Sequence, residues 1–343
     1  MLKEGLRANH LARELDRGCR AFKARKGMVI KMRLLTTATM NRRAADTDAF
    51  IANSEEQYLW QLKMTAQFLI EQEAERPLIL LSGPSGSGKT TTAFRLREQL
   101  CELGVKTHSM SMDNYFLSVD DPRNEREADG TIDYESPKRL DMDLLNEHME
   151  KLWECTEFTL PVFDFANQRQ LEGEKFKRGE HEMIILEGIH SLNPKVTGKF
   201  TDVSAGVYVS VRTRIKAADG SELHPEKIRL MRRLVRDKLF RNRKAEQTLK
   251  FFEAVQVGEE KYIAPYKCYA EHDIDTFLAY EAAAYKEFIV KELEELINSN
   301  DFTGLSEYQD MVKVLEELNG VSMDGVPKNS LVREFIGGSV FKY

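Results

Sequence analysis

The stretch LSGPSGSGKTTT, Leu81 to Thr92, leaves this chain few ways to fold. Gly83 to Thr90 satisfies G-x-x-x-x-G-K-[ST], a spacing in which backbone N–H groups turn inward around phosphate oxygens. Side chains in place of those glycines would obstruct the turn. Such a loop belongs between a buried strand and a helix whose positive N-terminal end faces the anion. Both flanks are present. LILLS (Leu78–Ser82) is a short apolar run suited to a buried parallel strand, and TTAFRLREQLCELG reads as a helix ending near Gly104. Gly83, Ser85, Gly86, Ser87, Gly88, Lys89, Thr90 and Thr91 are therefore the candidate phosphate-binding residues. Lys89 brings a mobile charge to β- and γ-phosphates, and Thr90 offers a hydroxyl to Mg²⁺. These residues imply a nucleoside triphosphate, and leave open where its phosphate goes.

The remaining pattern agrees with an open parallel sheet. VKTHSM (Val105–Met110), MIILEG (Met183–Gly188), GVYVSV (Gly206–Val211) and IDTFLA (Ile274–Ala279) are further candidate strands. Alternation of strands with helical segments predicts an α/β fold, five parallel strands with helices on both faces. The chain divides into a basic leader (1–43), a helical segment (44–76), a phosphate-loop domain (77–300) and a C-terminal appendage (301–343). In the second, Phe50, Tyr58, Leu62 and Leu69 recur near helical spacing and Pro77 sets a limit. Leu331, Val332, Phe335 and Ile336 would dock the appendage on the core or on a neighbouring subunit.

Composition bounds the partners. Hydrophobic residues make up 42% and charged residues 31%, as in a globular protein with an ample core. No apolar run approaches the length of a membrane span. The net charge of −6 conceals an asymmetry: residues 1–43 hold twelve Lys/Arg against three acids, so the rest is strongly acidic. An acidic body with a basic leader is not the footprint of a nucleic-acid-wrapping protein. The leader reads as a solvated extension, or as sequence upstream of a start at Met28, Met32 or Met40; a transit peptide and an RNA-contacting arm are the other readings. Cys19, Cys101, Cys155 and Cys268 lack paired spacing and read as reduced residues of a cytoplasmic protein.

Three segments beyond the loop carry candidate chemistry. SMDNYF places Asp113 just after the second strand, at the carboxyl edge where open α/β sheets bind ligands. An aspartate there can accept a proton from an attacking hydroxyl, or simply cap a turn. Glu187 closes MIILEG, where a carboxylate can orient Mg²⁺ or its water. In IRLMRRLVRDKLFRNR, Ile228, Met231, Val235 and Leu239 form an apolar stripe, with Arg229, Arg233 and Arg236 opposite and Arg241 and Arg243 at the end. Arginine forks suit a transferring phosphoryl group, and a solvated basic face is the plainer alternative. The guanine-reading N-K-x-D signature is absent, which weighs against a GTPase.

Taken in order, GPSGSGKT, SMDNYF, IDYESP, LPVFDF, IILEGIH and RRLVRDKLFRNR resemble the uridine kinase branch of the phosphoribulokinase/uridine kinase family, from about Leu78 to Tyr280. The tail VPKNSLVREFIGGS is similar to the ending of a bacterial group of nucleoside kinases. The resemblance implies a P-loop NTPase kinase core with an Arg-rich lid, using ATP and Mg²⁺. It implies Asp113 as general base for a sugar 5′-hydroxyl, Glu135 and Arg233 at the sugar, and Arg236, Arg241 and Arg243 as lid arginines. Phe163, Phe165 and Gln168 fall in the base-reading region and Phe251 beyond the lid, with plain core packing the alternative for the three phenylalanines. There the chain departs from the family: Phe163 lacks a tyrosine hydroxyl, Gln168 stands for a histidine, Phe251 for a polar contact, and Glu135 for an aspartate. The expected activity is 5′-phosphorylation of a nucleoside, uridine or cytidine first. The alternatives are another small hydroxylated acceptor, such as a purine nucleoside or sugar phosphate, and a nucleotide-switched RNA- or partner-binding protein. The family tendency also implies self-association.

Overall fold

Two apolar runs dictate the centre of the molecule. Every residue of LILLS and of MIILE is buried, so both strands are covered on both faces. The structure, a computed structural model, describes residues 33–72, 75–126, 130–298 and 305–343. The expectations for residues 1–32, including starts at Met28 and Met32, and for 301–304 lie outside the described residues.

In chain order the strands are β1 (Arg33–Thr36), β2 (Leu78–Ser82), β3 (Thr107–Ser111), β4 (Phe158–Asp164), β5 (Arg169–Phe176), β6 (Met183–Glu187), β7 (Ser204–Ser210), β8 (Thr213–Lys216), β9 (Glu222–Leu223) and β10 (His272–Asp275). The helices are α1 (Thr37–Ala44), α2 (Thr47–Ile70), α3 (Lys89–Glu102), α4 (Met142–Trp153), α5 (Pro194–Thr197), α6 (Pro225–Arg241), α7 (Ala245–Tyr262), α8 (Glu281–Asn298), α9 (Leu305–Glu316) and α10 (Arg333–Ile336). The central sheet is five-stranded in the order β10-β7-β2-β6-β3, with every pair parallel.

Successive strand side chains point to opposite faces, and each face has its own core. Ile79, Leu81, Ile185, Val207 and Val209 pack with α2, α3, α6 and α8. Leu78, Leu80, Ile184, Leu186 and Tyr208 pack with α4 and the turn at Val196. The expected α/β fold of five parallel strands is present, with boundary shifts that have local causes. The last strand covers His272–Asp275 rather than 274–279, because Thr276 and Leu278 turn away: Arg232 Nη2 donates to Thr276 O at 2.6 Å, and Leu278 N to Glu281 Oε1 at 3.2 Å. Leu239, read as part of the buried stripe of α6, is 52% exposed near the end of that helix.

Two segments read as appendages pack on the domain. Within the leader, β1 pairs in parallel with β8 and Met40 of α1 is buried. Helix α2 is tied to α3 where Tyr58 and Thr92 hydroxyls meet at 2.8 Å. In the tail, Leu331, Val332 and Phe335 are fully buried in the same core as α3 and α6. The antiparallel hairpin β4–β5 stands outside the central sheet, and its turn is held by the Asp164 carboxylate, which accepts from Ala166 N and Asn167 N. No described helix is long and apolar enough to cross a membrane.

Candidate active site

At the carboxyl ends of β2, β3 and β6 the three chain exits surround one cleft. Its volume is about 770 Å³, and it runs from the glycine loop to Phe163, Phe165 and Phe251. The loop is held from behind. A Cβ on Gly83 would stand 2.0 Å from Val209 O, so only glycine lets it cross β7. Gly86 and Gly88 have φ of +74° and +81°, the left-handed region glycine enters without strain. Ser87 is buried, and its N donates to Pro84 O. Arg232, fully buried and paired with Glu281, donates to Gly86 O at 3.1 Å. Arg229 donates to Ser85 O at 3.1 Å, and Arg233 to Ser85 Oγ at 3.2 Å. Helix α6 thereby clamps the glycine loop from behind.

Lys89 opens α3 and its Nζ rests on Pro84 O at 3.2 Å. Glu187, at the end of β6, accepts from Ser111 Oγ at 2.9 Å and from Thr90 Oγ1 at 3.4 Å. Burial, followed by the nearby charge of Asp113, pushes its carboxyl up to about 7. Asp113 follows β3 directly; it is half-buried and lines the cleft, and desolvation raises its pKa against the opposing pull of Lys89. Glu135 lines the same cleft, raised by burial and moderated by Arg233 and Lys89. A Cβ at Gly258 would lie 2.4 Å from Glu135 Cβ, so α7 approaches this closely only because it carries a glycine there.

Arg233, Arg236, Arg241 and Arg243 all reach the cleft. They share one organiser, Asp237, whose fully buried carboxylate lies 3.6, 3.7, 3.1 and 3.4 Å from them respectively. Asn242 in the left-handed conformation ends α6 and swings Arg243 back toward that acid. Burial lowers the pKa of Arg233, Arg236 and Arg241.

At the far end, Phe163 is buried with its ring edge-on to Phe116 and Phe165, at 5.7 and 5.1 Å. Phe165 and Phe251 are exposed and face the cleft, and Arg243 stacks over Phe251 at 4.7 Å. Gln168 has φ +53° and spends its amide on Phe165 O.

Three participants escaped the sequence reading. Asp237 sits four residues from both Arg233 and Arg241, a helical spacing that could have flagged it. Arg139 is 3% exposed, stacks over Phe116 and Tyr134, and donates to Asn124 Oδ1 at 2.6 Å, with no carboxylate partner among the described residues. Glu334 reaches the cleft from the tail, and no local pattern announces it.

The donor set around Glu187 is one buried carboxylate and two hydroxyls, hard oxygens that fit Mg²⁺. Among the described residues no cluster of three or more His, Cys, Asp or Glu could hold a metal alone. A cation here would therefore share its coordination with phosphate oxygens.

Residues 78–279 match the phosphoribulokinase/uridine kinase family. The uridine kinase of Psychromonas ingrahamii is 31% identical over 198 residues, 57% of this chain and 84% of that one. The uridine kinase of Borrelia duttonii is 29% identical over 195 residues, with the same coverage. Among solved structures, D-glycerate 3-kinase from Cryptococcus neoformans superposes with a TM-score of 0.40 and 17% identity, over 60% of this chain and 89% of that one. The matched span exceeds half of the chain and carries every segment of the cleft except that of Glu334, and the chain belongs to the phosphoribulokinase/uridine kinase family.

Proposed function

We propose that this protein transfers the γ-phosphoryl group of ATP to the 5′-hydroxyl of a nucleoside, with uridine or cytidine as the first acceptor. The observation that carries the reading is the carboxylate of Asp113. It enters the cleft with no hydrogen-bond partner among the described residues, between the charge of Lys89 and the second carboxylate of Glu135. A base in that position takes the proton of the hydroxyl as its oxygen attacks phosphorus and the bond to the β,γ-bridging oxygen breaks. Lys89 and the arginines at 236, 241 and 243 face the charge that spreads over the transferring oxygens. Glu135 and Arg233 hold the sugar hydroxyls. Thr90 and Glu187 would hold Mg²⁺, which would supply charge neutralisation on the phosphates. Closure of the α6–α7 lid excludes water and limits wasteful hydrolysis.

A second reading, a different small hydroxylated acceptor such as a sugar phosphate or purine nucleoside, is favoured by Arg139. A desolvated guanidinium without a carboxylate partner suits an electron-rich or anionic group on the acceptor. Phe163 and Phe251 also offer rings where hydrogen-bond readout of a pyrimidine needs polar groups. A coupled ADP-release assay over nucleosides and sugars, with products identified by mass, tests both. Turnover stimulated only by non-nucleosides would remove the first reading in favour of the second.

A further inference from the structure

The C-terminal segment lies across the donor end of the cleft. Leu331 rests on the glycine loop itself: a Cβ on Gly88 would come within 2.4 Å of Leu331 Cδ1. Phe335 is fully buried beneath the guanidinium groups of Arg232 and Arg236, at 5.4 and 6.0 Å. Asn329 O accepts from Arg95 on the second turn of α3. Beyond α10, Gly337 and Gly338 have φ of +84° and +72°, and they reverse the chain so that Phe341 and Tyr343 flank Phe94 at 5.3 and 6.2 Å.

The decisive contact is at Thr91. Its hydroxyl donates to Glu334 Oε2 at 2.6 Å, its backbone N–H points to the same oxygen at 3.4 Å, and Tyr343 OH lies 2.9 Å from that hydroxyl. The N–H groups of a glycine loop and the first turn after it are the cradle for the α- and β-phosphates. Here a carboxylate takes the N–H and hydroxyl of Thr91, one residue after the GKT of the motif, and Glu334 lines the open cleft beside the loop. Two anions cannot share one N–H and one hydroxyl at hydrogen-bond distance.

We propose that Glu334 is an internal stand-in for the donor's α-phosphate, so that residues 326–343 form an autoinhibitory gate on the nucleotide site. The gate rests on the donor-site reading above. Leu331, Val332 and Phe335 anchor it, while the Glu334 carboxylate and the chain beyond Gly337 move aside when a nucleotide enters. The opposite arrangement, in which Glu334 helps to hold the nucleotide, predicts the opposite sign on every measurement.

The test is the dissociation constant of Mg·ATP, by calorimetry, for the full chain and for Glu334→Gln and Glu334→Ala. It is paired with hydrogen exchange of the wild-type tail with and without nucleotide. The gate predicts binding about tenfold tighter or more in Glu334→Ala, the weight of one charged hydrogen bond, and a smaller gain in the same direction in Glu334→Gln. It also predicts faster exchange at residues 338–343 once nucleotide is bound, a readout that needs no variant. Unchanged or weaker binding in both variants, or protection of the tail by nucleotide, overturns the gate while leaving the donor site standing. Absence of binding in all three proteins overturns the gate and the donor-site reading together.

Discussion

Replacing Asp113 by Asn separates the chemistry of this cleft from its architecture. The amide keeps the shape and removes both the proton acceptor and the charge. General-base catalysis contributes about 10²–10⁴ in rate, so kcat should fall by that factor, or about 3–5 kcal/mol of barrier at 1.36 kcal/mol per decade. Binding of Mg·ATP should survive, because no hydrogen bond to the loop runs through this side chain among the described residues. The fold should gain stability. Asp113 and Glu187 are both held above the usual carboxylate range, Glu187 at about 7, by burial and, for Glu187, by the charge of Asp113. A carboxyl raised in the folded state stabilises below its unfolded pKa, and that stability is lost as pH rises through the folded value. The wild type therefore loses stability between about pH 4 and 7, and the variant loses less. The gap should therefore be smaller at pH 5 than at pH 8, and the Tm difference should widen in the same direction. Steady-state kinetics, calorimetric nucleotide titration and thermal melts at the two pH values read all three quantities. A kcat within tenfold of wild type, or a Tm gap that shrinks as pH rises, would refute the reasoning.

Other perturbations test the frame around the site. Arg232→Met leaves the buried Glu281 carboxylate without its cation and frees Gly86 O, so a loss of about 3–5 kcal/mol is expected by denaturant titration, with partial recovery in the Arg232→Met, Glu281→Gln double variant. Gly83→Ala drives a Cβ into Val209 O and should abolish nucleotide binding and lower Tm by several degrees, read by calorimetry and melting. On the proposed function, Arg139→Met should raise KM for the acceptor about tenfold and leave KM for ATP within twofold, because the described contacts of Arg139 are with Phe116, Tyr134 and Asn124 and not with the loop. Equal effects on both substrates would assign Arg139 to packing.

Much of the loop end of the cleft was legible in the chain. The glycine loop between LILLS and its helix names its own geometry, because backbone turns of positive φ need glycine and a parallel strand needs a continuous apolar run. Asp113 and Glu187 were visible for a similar reason: strand ends are easy to find, and the carboxyl edge of a parallel sheet is where ligands go. The hairpin β4–β5 was not read as strands, since its residues alternate irregularly in burial and it packs outside the central sheet.

What local pattern could not supply is proximity between distant segments. Asp237 gains Arg243 as its fourth arginine only when Asn242 turns the chain back, and Glu135 reaches its seat only because Gly258 lets α7 close on it. Arg139 reads as an ordinary charged residue until two aromatic rings and burial strip its solvent. The tail, an amphipathic fragment by sequence, becomes the cover of the phosphate loop once Phe335 fills the space under Arg232 and Arg236. Sequence alone determined the loop and the succession of strands and helices around it, because those follow from dihedral preference and periodicity within a few residues. Tertiary structure decided which charges meet, which are desolvated and what stands in the donor's seat, because Coulomb and burial terms depend on distances through space that residue spacing along the chain does not encode.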